Sequence, residues 1–209
     1  IVTEEDIPVL LSVGKDSIYI WEKDDTMLHE NEAAEILYAM CKNKHMHPSD
    51  VKEGKIEVIA DCDGLLKVDS DKLKKVNAFG QMMIASRHGN TPVKKGNKLA
   101  GTRIIPLVIE KEKMHKAAAI CADGPILELK EFHKKKVGII TTGNEVYHKR
   151  IEDTFTPVIK EKLAEYDTEV IYHEIFDDNH EKITRGCLTA IEKGADLVIC
   201  TGGMSVDPD

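Results

Sequence analysis

Three short stretches in the last third of the chain combine turn-forming glycine, hydroxyls and carboxylates: "TTGNEV" (141–146), "IFDDNHEK" (175–182) and "TGGMSVDPD" (201–209). In the first, Gly143 permits a tight turn, Thr141 and Thr142 offer hydroxyls, Asn144 adds an amide, and Glu145 sets a carboxylate at the mouth. In the third, Gly202 and Gly203 let backbone N–H groups approach a phosphate closely, with Thr201 and Ser205 as hydroxyl donors and Asp207 and Asp209 following. The middle stretch supplies Asp177 and Asp178. Carboxylates gathered around a phosphate-sized turn repel an anionic ligand unless a cation lies between them, and oxygen donors of this kind favour Mg²⁺. The competing account is local. Asp and Asn are preferred helix caps, and "DDNHEKI" opens a helix.

Neither glycine loop reads as a Walker sequence or as GxGxxG, and "GGMSV" is not a GxSxG nucleophile elbow. The chemistry offered is binding of a phosphate with a metal. Such loops work when parallel strands end side by side, and the surrounding pattern predicts that arrangement. From Val137 onward apolar runs alternate with helical patterns: "VGII" (137–140), then Ile151, Val158, Ile159 and Leu163, then "EVIYHEI" (169–175), then Ile183, Leu188 and Ile191, then "DLVIC" (196–200). Short apolar strands separated by helices of this length indicate a parallel α/β sheet with helices on its faces. Ligands bind outside the carboxyl ends of such strands.

Upstream the pattern is mixed. "TEEDIPVLLSVG" (3–14) reads as a capped helix ended by Gly14 and followed by a strand "SIYIW". "ENEAAEILYAMCKN" (30–43) sets Ala33, Ala34, Leu37, Tyr38 and Cys41 on one helical stripe. "KIEVIA" and "LLKV" flank "DCDG" as in a hairpin, "DKLKKVN" reads as a short helix, and 86–109 as loop, glycine turn and strand. An α+β domain over 1–133 therefore precedes a parallel-sheet α/β domain over 134–209, with the charged run "KEFHKKK" at the boundary. The chain begins on Ile and ends inside a loop, so it reads as a fragment whose sheet is incomplete at the C-terminus.

Hydrophobic residues make up 42% of the 209 and charged ones 32%, as in a globular protein, and no apolar run approaches the ~20 residues of a membrane span. A net charge of −8 argues against a nucleic-acid partner. Five scattered cysteines without a CxxC pair suggest a reducing, cytoplasmic setting rather than disulfides or structural zinc.

The motifs "VGIITTGNEV", "FDDN" and "ADLVICTGGMSVDPD", in that order, resemble the molybdopterin-binding domain of the molybdopterin molybdenumtransferase (MoeA-like, gephyrin E-domain) family, a domain also found at the N-terminus of CinA-like proteins. The resemblance covers Val137 to Asp209, and more loosely extends upstream through "VKKGNKLAGTRIIPLVIEKEKM". It implies a three-layer fold whose loops bind molybdopterin or its adenylylated form, Mg²⁺ and molybdate. Glu145 then matches the acid of the first loop and Asp177 the acid after the middle strand, as catalytic and metal-holding residues, with Asp178, Asp207 and Asp209 as further metal candidates. Thr141, Thr142, Gly143, Asn144, Thr201, Gly202, Gly203 and Ser205 are the ligand-binding candidates. Three functions follow from the likeness: molybdenum insertion during molybdenum cofactor biosynthesis, a non-catalytic pterin or nucleotide binding or sensor module, and a CinA-like nucleotide hydrolase. It also implies a small-molecule pterin phosphate as partner, no membrane, and a homodimer as the common assembly.

Three further groups compete with plainer accounts. Cys41, His45 and His47 could ligate zinc, but three candidates at a helix exit fall short of a structural site, and a solvated C-terminus explains them. Glu30, Glu32 and Glu35 lack HExxH spacing and suit a helix N-terminus. Arg87, His88, Lys94, Lys95, Lys98 and Arg103 form either an electropositive loop that steers an anion or edge-strand lysines that maintain solubility.

Overall fold

In the computed structural model, which describes residues 2–18 and 24–202, the chain divides into two units, Ile1–Glu131 and Phe132–Asp209. The N-terminal unit runs α1 (Ile7–Ser12), β1 (Met27–His29), α2 (Glu30–Cys41), β2 (Met46–Pro48), β3 (Lys55–Ala60), β4 (Gly64–Val68), α3 (Ser70–Asn77), β5 (Met82–Ser86), β6 (Thr91–Val93), β7 (Lys98–Ile104), β8 (Val108–Glu110), α4 (Lys111–Ala119) and β9 (Leu127–Glu131). The helix expected in 3–14 is α1; the strand expected in "SIYIW" (17–21) falls largely on residues 19–21, outside the described residues.

Antiparallel pairing builds three sheets here, with strand orders β2-β3-β7-β5, β6-β4-β9 and the ribbon β1-β8. The period of two in "KIEVIA" buries Ile56, Val58 and Ala60 on one side. Against them lie the predicted stripe of α2, with Ala33, Ala34, Leu37, Tyr38 and Cys41 all buried, joined by Met40. Leu66, Leu99, Ile109, Met114 and Leu127 complete this core.

The hairpin expected across "DCDG" does not form, because β3 and β4 enter different sheets. Asp63 is engaged elsewhere: Lys95 N–H donates to its Oδ1 at 2.8 Å and Lys94 Nζ to its Oδ2 at 2.9 Å, which organises the turn between β6 and β7. Gly64 meanwhile runs so close to β9 that a Cβ would lie 2.4 Å from the Lys130 carbonyl oxygen. The turn signal was real but marks a crossing between sheets.

The C-terminal unit consists of β10 (Lys136–Thr142), α5 (Asn144–Tyr147), α6 (Phe155–Ala164), β11 (Glu169–Phe176), α7 (His180–Glu192) and β12 (Leu197–Thr201). Its three strands are parallel in the order β11-β10-β12, so the first strand in sequence is central and buried from Val137 to Thr142. Side chains alternate across it. Gly138 and Ile140 face α7, where Cβ atoms built on Gly138 and Gly186 would lie 2.6 Å from Ala190 Cβ and 2.4 Å from the Phe176 ring. Thr141 faces α6 and meets Thr156. Helices thus cover opposite faces of the sheet, giving the three layers expected.

The apolar stripe of α7 differs from the sequence expectation. Leu188 and Ile191 are exposed, and the buried positions are Gly186 and Ala190, because the helix approaches the sheet too closely for large side chains. Ile151 and Val158 are likewise exposed rather than core. Among the described residues, no helix is long and apolar enough to cross a membrane.

Candidate functional site

Parallel register brings the three strand ends to one edge of the C-terminal sheet. Thr142 pairs with Phe176 and Thr141 with Thr201, so Gly143, Asp177 and Gly202 leave their strands side by side. The first turn is anchored by the Gly143 N–H, which donates to the Phe176 carbonyl at 3.2 Å, with Gly143 itself at φ +136°. The second turn presses on the first. Gly202 has φ +91°, and a Cβ there would lie 1.9 Å from the Thr142 carbonyl oxygen, so only glycine permits this approach. Thr142 Oγ1 donates to the Thr201 carbonyl at 3.3 Å and ties the two loops together.

Asp177 is the acid that leaves β11 at this edge. Its Oδ2 accepts from Lys182 Nζ at 2.7 Å; that hydrogen bond and charge hold the carboxyl below its ordinary range and the ammonium above its own. Its Oδ1 is buried and meets no donor at full hydrogen-bond geometry among the described residues, although the nearby Asn179 N–H also helps to hold the carboxyl low, so this oxygen keeps capacity for a further partner. Lys182 also lies 5.8 Å from the Tyr147 ring centroid, over its face. The capping account of Asp177 and Asp178 does not hold. The cap of α7 is Asn179, whose Oδ1 accepts from the N–H groups of Glu181 at 3.0 Å and Lys182 at 3.1 Å.

The remaining candidates divide by position. Asn144 and Glu145 form the exposed first turn of α5, and the Glu145 carbonyl accepts from Arg150 N–H at 2.8 Å. Asp178 is exposed, and Thr201 and Gly202 are half-buried. Gly203, Ser205, Asp207 and Asp209 lie outside the described residues. Among the described residues, no group of three or more His, Cys, Asp or Glu side chains is placed to hold a metal ion.

The Thr141 hydroxyl is turned away from the loops, into a polar cluster beneath the sheet. It lies 2.9 Å from Thr156 Oγ1 and 3.3 Å from His173 Nε2, while Thr156 Oγ1 lies 3.2 Å from the same nitrogen. Burial first, then the Lys160 charge, depress His173 below its ordinary value against the opposing pull of Asp153, 4.0 Å away. Burial pushes Asp153 upward, but hydrogen bonds from the Thr156 hydroxyl and from the Thr156 and Phe155 N–H groups outweigh it and hold the carboxyl low. This cluster braces the last turn of β10. Sequence reasoning passed over His173 and Lys182. The available signals were a titratable residue at an inward position of "EVIYHEI" and a cation five residues after Asp177.

Beside the first loop an open hollow of about 380 Å³ is lined by Val146, Lys149, Arg150, Asp153 and Ile175, among others, so cations accompany the acids at this end of the unit. In the N-terminal unit the other candidates have local roles. Cys41 is fully buried and its thiol is pushed up to about 12 by burial, while His47 Nδ1 pairs with Asp61 at 2.5 Å, so the suggested zinc ligands do not converge. Lys94 pairs with Asp63 at 2.9 Å, Lys98 with Glu57 at 2.7 Å, and Arg87 Nε donates to the Lys98 carbonyl at 2.8 Å, which favours structural duty over anion steering.

Residues 138–209 match the family model described as "Probable molybdopterin binding domain". The chain is 34% identical over 71 residues to a "Putative competence-damage inducible protein" of Bacillus cereus strain B4264, and 33% identical over 75 residues to the protein of the same name from Bacillus velezensis. These matches cover 34% and 36% of this chain but only 17% and 18% of the relatives' lengths. Among solved structures, the tungsten cofactor synthesizing protein MoaB from Pyrococcus furiosus is similar over 36% of this chain and 46% of its own, at 31% identity and a TM-score of 0.34. The molybdopterin biosynthesis MoeA protein from Pyrococcus horikoshii OT3 is similar over 84% of this chain and 66% of its own, at 12% identity and a TM-score of 0.29.

Proposed function

We propose that the protein acts in molybdenum cofactor biosynthesis, binding molybdopterin or its adenylylated form together with Mg²⁺ at the glycine-loop edge of the C-terminal unit, and that it promotes molybdenum insertion from molybdate. The observation that carries this reading is the Asp177 Oδ1: a buried carboxylate oxygen with capacity for a further partner, at the edge where two glycine turns meet within a molybdopterin-binding domain. A hard, anionic oxygen suits Mg²⁺, which is commonly held by one or two carboxylates plus the phosphates of its substrate, so a single free oxygen fits the ion better than a full protein cage would.

In this reading Asp177 holds the cation, with its neighbour Asp178 and Glu145, two residues past the Gly143 turn, joining it. The backbone N–H groups of the loops at Gly143 and Gly202 receive phosphate oxygens, and Lys182 offsets the charge of Asp177. When bound, Mg²⁺ supplies Lewis-acid neutralisation of the phosphate and of oxyanions brought to it. The chain's own part is placement: the Thr142 to Thr201 hydrogen bond and the cluster of Thr141, Thr156 and His173 fix the loops before the ligand arrives. Gly203, Ser205, Asp207 and Asp209 follow Gly202 in sequence and join the proposal as further ligand and metal contacts.

A second reading is favoured by the competence-damage inducible relatives: the same edge holds a pterin or nucleotide without molybdenum insertion, as a sensor or as a CinA-like hydrolase. Calorimetry of the full chain with molybdopterin, with and without Mg²⁺, tests the site, and Asp177→Ala and Glu145→Ala test its residues. Metal-dependent pterin binding lost in Asp177→Ala supports it. Absence of pterin binding by the folded protein sinks both pterin readings, and a molybdate-dependent insertion assay separates catalysis from storage.

A further inference from the structure

Two of the five cysteines meet at the base of the second glycine turn. Cys187, on α7, and Cys200, on β12, bring their Sγ atoms within 3.7 Å as free thiols. Both side chains occupy the α7 face of the sheet, since Cys200 is paired with Ile140 and shares its side. Cys187 is half-buried and Cys200 exposed, so a small oxidant reaches the pair. Cys41, by contrast, is sealed in the core of the other unit.

A disulfide requires an Sγ–Sγ distance of about 2.05 Å, so the two sulfurs must close by roughly 1.6 Å. We propose that Cys187 and Cys200 are a reversible oxidation site, closed to an intramolecular disulfide by a peroxide-class oxidant, which latches α7 to the strand that leads into the Thr201–Gly202 turn. The helix is already fixed to β10 where Gly186 and Ala190 pack closely, so the new bond ties the end of β12 to the most rigid part of the unit.

The steps balance. One thiol, as thiolate, attacks a peroxide oxygen; the O–O bond breaks, and a sulfenic acid and one water form. The second thiolate attacks the sulfenic sulfur, the S–O bond breaks, the S–S bond forms, and a second water leaves. Two thiols are oxidised by two electrons in total while one hydrogen peroxide is reduced to two waters. Burial, and then contact with Cys187, hold the Cys200 thiol above its ordinary value, which lowers its thiolate fraction and makes its reaction with peroxide slower than that of an ordinary thiol.

The bond itself is independent of what the loops bind, so the test needs no ligand. The reduced full chain is treated with hydrogen peroxide, blocked with an alkylating agent and mapped by mass spectrometry without reduction. The expected result is one peptide pair linked through Cys187 and Cys200, two hydrogens lighter than its reduced parts and restored by dithiothreitol. The oxidised protein is expected to unfold about 5 °C or more above the reduced form, because the bond closes a short loop in the unfolded chain. Cys187→Ser and Cys200→Ser each abolish both effects, and Cys62→Ser leaves both intact. The proposal is overturned if the two cysteines oxidise separately to sulfinic or sulfonic acids, if either pairs with another cysteine or another chain, or if the linked protein is no more stable.

Discussion

Replacing Gly202 by Ala tests whether the two glycine turns press on each other, and Gly194 provides the matched control. The two residues share a backbone conformation, φ +91° and +90°, that L side chains rarely adopt. Their surroundings are opposite. A Cβ at Gly194 meets nothing within 4 Å, whereas one at Gly202 lies 1.9 Å from the Thr142 carbonyl oxygen, 2.9 Å from its carbon and 3.2 Å from its Oγ1. The shared conformational cost is about 1–2 kcal/mol. Gly202→Ala adds the cost of moving backbone out of contact, about 1–3 kcal/mol, and disturbs the Thr142 to Thr201 hydrogen bond. For a unit of this size each kcal/mol shifts the midpoint by about 4–8 °C, so Gly202→Ala should unfold roughly 5–20 °C below Gly194→Ala in scanning calorimetry. Equal midpoints for the two variants would show that the close approach does not exist, and the geometry of the site would fall with it.

Three further outcomes are expected. Leu37→Ala, which empties a fully buried position under α2, should cost about 2–5 kcal/mol by urea denaturation. Asn179→Ala removes the cap of α7 and should cost about 1 kcal/mol, whereas Asp178→Ala, which is exposed and not the cap, should cost far less in the same assay. His173 is depressed in the folded protein, so the unfolded chain takes up its proton first; the stability it supports is full above about pH 6.5 and is lost as pH falls through the folded value. Urea midpoints between pH 8 and pH 5 should therefore fall less steeply in His173→Gln than in the wild type.

The parallel sheet was legible because its strands are short, nearly unbroken apolar runs spaced by helix-length segments, and a strand buried on both faces cannot read otherwise. The order β11-β10-β12 was not, since nothing local in "VGII" says that the first strand becomes the central one. Misreadings arose where packing is tight. Large residues such as Leu188 and Ile191 suggested the buried face of α7, but Gly186 and Ala190 occupy it because Phe176 and Gly138 leave room only for small side chains. "DCDG" carried turn chemistry without saying which strands it joins. At the site, the glycines and Asp177 stood out by residue type, whereas Thr141 was legible only as a hydroxyl; its side depends on strand alternation, and that alternation sends it to His173. Asp177, Asp178 and Asn179 were equivalent as capping candidates until the first turn of α7 was seen to start at His180.

The most direct measurement of the central claim is a crystal structure of the protein soaked with molybdopterin and Mg²⁺. Phosphate oxygens should lie about 2.7–3.2 Å from backbone nitrogens of the loops at Gly143 and Gly202, and the ion about 2.0–2.1 Å from Asp177 Oδ1. A ligand bound elsewhere on the unit, or a bound phosphate with Asp177 Oδ1 still bare and no metal beside it, would contradict the account.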